Sequence, residues 1–413
     1  MVNVEEICKL AKQAAYRLAS VSADVKNEML QIMADALKKN TEDIIAANKI
    51  DLDNFADKKS AFYDRLTINA DRINLMREGL LQIKSLPDPV GETVESFSLD
   101  SGLQIRKVRA PLGVIGIIYE ARPNVTVDCA GLTLKSSNAV ILRGGKEAVN
   151  SNRAIADIMK NALKANGYDS EIIQFIDDVT RESSYEMLRQ DKYIDVIIPR
   201  GGEGLKRFIL DNARMPVIAS AGGNCHIYVE KTADLDMSDR VIINAKTQRV
   251  SVCNALEHIL VDSEIAKIYI PRLVQILRKN NVTVKGDEAA CKFADIEPMT
   301  EQDNSTEYLD YIVSIKVVEG IDEAINHINR YSTKHSESIM TTDTAKAEQF
   351  LRSIDSACVY VNTSTRFTDG FQFGYGAEMG ISTQKLHARG PIALKELTSI
   401  KYNIVSDGAV RES

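Results

Sequence analysis

Residues 114–148 read VIGIIYEARPNVTVDCAGLTLKSSNAVILRGGKEA, and they decide the fold class. VIGIIYE (114–120) is a short apolar run rich in β-branched residues, as expected of a strand buried on both faces. Pro123 to Lys135 follows as a helix, and proline suits a helix start because its missing N–H is not needed there. AVILR (139–143) is a second buried strand, and Glu147 to Ala165 a second helix closed by Asn166-Gly167. Strand–helix alternation at this spacing makes the strands parallel, with helices on both faces of the sheet.

The alternation continues downstream. IIQFI, DVIIP and HIYVE follow as strands with helices between them. A second block starts near Thr232, with a helix to Lys246, ALEHILV as a strand, a helix at 264–278, then VTVK, SIKVV, SIMTT and CVYVN. Upstream the chain is helical. Ile7, Leu10, Ala11, Ala14 and Leu18 share one face of Val4–Leu18, and Met29, Ile32, Met33, Ala36 and Leu37 repeat the spacing until Pro87 and Pro89 end it. FSLDSGLQIRKVRAP reads as a hairpin about Asp100-Ser101-Gly102, and LTSIKYNIV near the C-terminus as one more strand. The expectation is an α/β chain with two successive blocks of strand–helix alternation, each forming a parallel sheet.

Composition narrows the function. The 413 residues carry 51 Lys+Arg against 58 Asp+Glu, and a net charge of −7 argues against bulk nucleic-acid or anionic-membrane binding. No apolar run approaches the ~20 residues that span a bilayer, and MVNVEEICKLAKQ lacks the layout of a signal peptide. Six scattered cysteines without a CxxC pair read as reduced cytosolic thiols, so a cytoplasmic location is expected. Five histidines form no HExxH, and no metal site is expected.

The usual nucleotide signatures are missing. No GxGxxG follows a strand, and Gly144-Gly145-Lys146 fails as a P-loop because Val140 and Glu147 stand where glycine and Ser/Thr belong. Gly144-Gly145-Lys146 and Arg200-Gly201-Gly202 nevertheless follow strands and precede helices. Each is either a turn or a cradle in which backbone and helix N-terminus meet an anion. Ala221-Gly222-Gly223-Asn224 is a third glycine cluster. Cys253, between a helix and a strand, is either a small buried hydrophobe or a nucleophile. Arg366 and Arg389, among Ser, Thr and Gly, read as a surface loop or as a receptor for a small anion.

These pieces stand in the order of one family. VRAPLGVIGIIYEARPNVTVD, AVILRGGKEA, IIPRGGEGL, GNCHIYVE, KTQRVSVCNALE and NTSTRFTDGFQFGYGAEMGISTQKLHARGP resemble the γ-glutamyl phosphate reductases, of the aldehyde dehydrogenase superfamily, over essentially the whole chain. The resemblance implies an aldehyde dehydrogenase-like fold. It also implies NADPH-dependent reduction of L-glutamyl 5-phosphate to glutamate 5-semialdehyde, with release of phosphate, in proline biosynthesis. The implied domains are 1–230 for NADP, with the 95–110 hairpin as part of an oligomerisation arm, 231–362 for catalysis, and 363–413 as a return segment carrying an arm strand. A homo-oligomer (dimer or tetramer) and contact with glutamate 5-kinase are the implied partners.

Site residues carry over by motif. Cys253 matches the nucleophile, Asn124 the oxyanion-stabilising amide, and Glu307 the glutamate on the nicotinamide ribose. Arg143 and Lys146, with Gly144 and Gly145, fall at the adenosine ribose, where a base in place of an acid favours NADP over NAD. Arg200, Gly201 and Gly202 correspond to the loop near the pyrophosphate. Arg122, Arg366, Asp369 and Arg389 are the candidates for the substrate's charged groups. Two positions depart from the family pattern: Ala219, where many members carry glutamate, and Val250-Ser251, often Pro-Gly. The competing readings are a phosphorylating or CoA-acylating dehydrogenase for another acyl group, and a non-enzymatic nucleotide-binding relative.

Overall fold

The computed structural model describes residues 3–56, 58, 61–220 and 222–411. The chain forms two compact units. The first comprises Met1–Ala219, Gly374–Gly380 and Ile392–Ser413; the second comprises Ser220–Phe373 and Ile381–Pro391.

In the first unit, four parallel strands lie in the order Ile173–Phe175, Ala139–Gly144, Val114–Tyr119, Val196–Arg200. Ile117 pairs with Leu142 on one side and Ile198 on the other, and all three are fully buried. That central position explains why VIGIIY is apolar throughout. Helix Val4–Leu18, capped by the Asn3 side chain, lays Cys8, Ala11 and Ala15 on Val114, Ile118 and Ile141.

The first unit also holds an antiparallel sheet. Gln104–Pro111 lies between Thr93–Ser98 and Thr398–Val405, with Lys107 opposite Tyr402. Val94, Phe97, Tyr402, Ile404 and Val405 are exposed on it. The hairpin read about residues 100–102 and the late strand therefore join one small sheet.

The second unit is built on seven parallel strands. Their order is Glu297–Pro298, Thr283–Gly286, Ile312–Val318, Leu256–Asp262, Cys225–Val229, Ser336–Met340, Cys358–Val361. Successive residues serve opposite faces. Ile227 and Ile259 pack beneath helices Leu235–Thr247 and Ser263–Lys279, whereas Tyr228 and Leu260 face Ile321–Tyr331 and Thr344–Ser353.

The structure moves two sequence assignments. HIYVE, read as a late strand of the first domain, is central in the second sheet, where Tyr228 pairs with Leu260 and with Ile339. Helix Leu235–Thr247 is the crossover from this strand to the next, so the compact units divide before it, at Ala219/Ser220 and not at 230/231. The helix expected from Glu147 begins as the short 3-10 turn Lys146–Ala148 and becomes α-helical at Val149. Its N-terminus is filled from within: Asp51 accepts from the backbone N–H of Asn150 at 3.2 Å and of Ser151 at 2.8 Å. An internal carboxylate thus occupies the helix end that the sequence suggests for an external anion.

Candidate active site

Cys253 lies in the turn between helix Leu235–Thr247 and strand Leu256–Asp262, and it is half-buried. Its backbone is held from two sides. The buried thiol of Cys225 donates to the Cys253 carbonyl at 3.2 Å, and burial pushes that thiol's pKa well up, keeping it a neutral donor. Gly223 passes so close that a β-carbon there would stand 1.3 Å from the same oxygen.

The next residue, Asn254, ties the turn to the segment after strand Cys358–Val361. Its amide donates to the carbonyls of Thr368 (2.8 Å) and Arg366 (3.3 Å), and its own carbonyl accepts from Thr365 Oγ1 (2.8 Å). Its side-chain oxygen accepts from Arg366 Nη1. Arg366 Nε and Nη2 both donate to Gln248 Oε1, at 2.9 and 2.8 Å.

Glu307 faces the Gly222-Gly223 backbone. Its Oε1 accepts from the Gly223 N–H at 2.6 Å, and a β-carbon on Gly222 would approach Oε2 to 2.5 Å. Behind it, His258 donates from Nε2 to the Thr306 carbonyl at 3.1 Å, and its Nδ1 meets Ser314 Oγ at 2.6 Å. Burial, then the neighbouring His226, drives the His258 pKa down, so this support is a neutral imidazole. Ala221, part of the third glycine cluster, lies outside the described residues.

In the first unit, the predicted cofactor residues stand at the C-terminal ends of Ala139–Gly144 and Val196–Arg200, the two parallel strands that flank Val114–Tyr119, and α/β sheets bind ligands at such ends. The Gly202 N–H donates to Glu120 Oε2 at 2.9 Å. A β-carbon on Gly201 would reach 2.6 Å from the Glu120 carboxyl carbon, and one on Gly144 would reach 2.2 Å from Asn152 Nδ2. Arg143 donates from Nη2 to the Thr180 carbonyl at 2.8 Å, while its buried Nε has no hydrogen-bond partner. Lys146 is exposed and Arg200 half-buried. Asn124 opens helix Asn124–Lys135, and its amide donates to Asp128 Oδ2 at 3.0 Å. Burial raises the Asp128 pKa to about 6.

The substrate candidates separate. Arg389 bonds Asp355 at 2.8 Å, on a carboxylate that also pairs with Lys334 (2.8 Å) and Lys385 (3.1 Å). Hydrogen bonds from these three cations hold Asp355 well below the usual carboxylate range. Asp369 accepts from the backbone N–H groups of Phe371 and Gln372, as a turn residue does. Arg122 is exposed. Sequence reasoning missed Asn254, Gln248, Cys225, Asp128 and Asp355. Only Asn254 carried a signal, its adjacency to Cys253. Among the described residues, no group of three or more His, Cys, Asp or Glu side chains is arranged to hold a metal ion, and no helix is long and apolar enough to cross a membrane.

Comparison with known proteins identifies the family. The profile of the aldehyde dehydrogenase family matches residues 2–316 and 305–402. A γ-glutamyl phosphate reductase of Heliobacterium modesticaldum is 51% identical over 98% of this chain and 97% of its own. One from Lachnospira eligens is 51% identical over the full length of both. The crystal structure of γ-glutamyl phosphate reductase from Thermotoga maritima superposes with a TM-score of 0.97 at 46% identity, covering 99% of this chain and 100% of that one.

Proposed function

The chain belongs to the aldehyde dehydrogenase family and, within it, to the γ-glutamyl phosphate reductases, and from that premise we propose how its residues divide the work. It is an oxidoreductase that reduces glutamyl 5-phosphate to glutamate 5-semialdehyde in proline biosynthesis. The observation that carries the mechanism is the nucleophile's mount: Cys253 sits half-buried on a turn held by Gly223, Cys225 and Asn254.

The family uses a nicotinamide cofactor. The first unit's residues fit such a group. Glycine backbone meets three cations at the strand ends, and the unpartnered buried Nε of Arg143 is a donor without an acceptor. The proposed cofactor is NADPH. Arg143 and Lys146 would hold its 2′-phosphate beside Gly144 and Gly145; Arg200, Gly201 and Gly202 would hold its diphosphate, and Glu307 its nicotinamide ribose. When bound, the nicotinamide supplies the hydride.

The substrate is already activated as an acyl phosphate. Cys253 thiolate attacks the carbonyl carbon, the bond to the phosphate oxygen breaks, and phosphate leaves with the electron pair. The amide of Asn124 holds the charge that builds on the carbonyl oxygen. Collapse of the later thiohemiacetal releases the aldehyde and regenerates the thiolate. No water need be activated, so an alanine at position 219 in place of a carboxylate is compatible with this chemistry. Arg122, Arg366, Asp369 and Arg389 remain the candidates for the substrate's charged groups.

The proposed setting is the cytoplasm, supported by six free cysteines. The three-stranded sheet with its exposed apolar residues is proposed to join copies of the chain, and glutamate 5-kinase is the proposed supplier in contact. Running the reaction backwards tests the central reading, because the acyl phosphate is unstable. Glutamate 5-semialdehyde, phosphate and NADP should yield NADPH in a phosphate-dependent way, and Cys253→Ala should abolish it. Phosphate-independent signal, or full activity in the variant, would overturn the mechanism.

A further inference from the structure

The loop that carries the nucleophile is hydrogen-bonded to a guanidinium, Arg366, that forms no ion pair among the described residues. Arg366 spends its guanidinium on two neutral acceptors, Gln248 Oε1 and Asn254 Oδ1. Among the described residues, no carboxylate ion-pairs with it. Asp369 is the acid that stabilises its charge, and that carboxylate is taken by its own turn. Arg389, by contrast, is anchored on Asp355. A half-buried cation ordinarily finds an acid, so one fixed among neutral partners stands ready for an external anion.

A second cation lies one residue along the chain from its hydrogen-bond partner Gln248. Arg249 is exposed and follows Gln248 directly in the chain. Burial first, and the Arg249 charge second, push the Arg366 pKa down, which makes the two guanidinia electrostatic neighbours. Asn254 and Gln248 are positioning residues: they fix Arg366 to the residue that follows Cys253.

We infer that Arg366, seconded by Arg249, receives the phosphoryl group of the acyl phosphate and the charge it gains on leaving. This rests on the reaction proposed above. The tether decides between the substrate's two ends. The guanidinium hangs on the residue next to the nucleophile, and the phosphate is bonded to the carbon that the sulfur attacks. Charge agrees, since two cations match a phosphate dianion better than a single carboxylate. As the Sγ–C bond forms, the C–O bond to phosphate breaks and the electron pair passes to the phosphate oxygen beside Arg366.

The reverse reaction tests this, because there phosphate is a substrate with its own KM. Arg249→Gln and Arg366→Lys should each raise the phosphate KM by about tenfold or more, the scale of one lost charge-assisted contact. The semialdehyde KM should stay within about twofold. Gln248→Ala, which frees the guanidinium without removing it, should give a smaller rise in the same constant. Inorganic phosphate should also slow iodoacetamide labelling of Cys253 in the wild type and lose that effect in Arg249→Gln, whose exposed position spares the fold. An unchanged phosphate KM in both arginine variants would overturn the inference. So would a rise confined to the semialdehyde KM, which would assign Arg366 to the amino-acid end. A wild-type enzyme without phosphate-dependent turnover, yet protected by phosphate from labelling, would instead break the proposed reaction and leave the anion site standing.

Discussion

Gly223 and Cys253 meet backbone to backbone: a β-carbon on the glycine would lie 1.3 Å from the cysteine's carbonyl oxygen and 2.9 Å from its Cα. The constraint is steric, and its target is main chain that cannot rotate away. Gly223→Ala must therefore displace the nucleophile's turn. Overpacking of this kind typically costs about 1–3 kcal/mol, and the displacement should remove nearly all turnover. Thermal unfolding and kcat measured together check it. A variant with wild-type values for both would show that the turn is not held there.

Six thiols compete for any alkylating reagent, and the structure ranks them. Burial pushes Cys8 and Cys129 up to about 12 and Cys225 well above its ordinary range. Cys358 is buried, and Cys291 is half-buried, with burial followed by Asp287 raising the Cys291 pKa too. Limited iodoacetamide at pH 8, followed by peptide mapping, should therefore label Cys253 first. Labelling of Cys291 at the same rate would contradict the ranking.

Asp128, beneath Asn124, has a folded pKa of about 6, raised chiefly by burial. The unfolded value is near 3.9, so this residue's favourable contribution is complete below about pH 4 and disappears as pH rises through 6. Asp128→Asn should then exceed the wild type in stability by about 2 kcal/mol at pH 8, with the gap closing toward pH 4. Denaturant midpoints at the two pH values test the sign. A gap that widens on acidification would refute it.

Removing the Asn124 amide should act on rate. Asn124→Ala should lower kcat by about 10²–10³, the cost of one oxyanion donor, with NADPH binding unchanged by fluorescence titration. Undiminished kcat would remove Asn124 from the mechanism.

Lys246 and Glu257 form a fully buried pair at 2.9 Å in the second unit. Burial presses each toward its neutral form, lowering the lysine and raising the carboxyl. Lys246→Met should cost about 3–5 kcal/mol by stranding the carboxylate. Adding Glu257→Gln should recover much of that. A double variant as unstable as the single one would mean that packing, not charge, explains the loss.

Much of the fold is legible in the sequence because the strands are buried on both faces and read as apolar runs. Val114–Tyr119 and Leu256–Asp262 are of this kind. Sheet membership is less legible: nothing within Cys225–Val229 says that its partners are Leu256–Asp262 and Ser336–Met340. Partners distant in the chain are hidden for the same reason. Asp51 fills a helix end 99 residues away, and Asp355 engages Arg389 across 34. Cys253 stands in a motif, whereas the hydrogen bonds that hold Arg366 become visible only when residues 248, 254 and 366 are brought together by folding.

The small antiparallel sheet has a consequence for synthesis. Arg109 and Thr398, joined by a hydrogen bond at 3.2 Å, are 289 residues apart in the chain. At about 5–20 residues per second, a ribosome needs roughly 15–60 s to make the stretch between them. Throughout that interval strand Gln104–Pro111 has one edge unpaired, in a crowd of other nascent chains. Its sequence, QIRKVRAP, bears Arg106, Lys107 and Arg109 along that edge-forming stretch. Lys107 and Arg109 pair with Glu95 and Glu92, which are made before them, so Arg106 is the charge on this stretch that opposes pairing with a second copy while the strand waits.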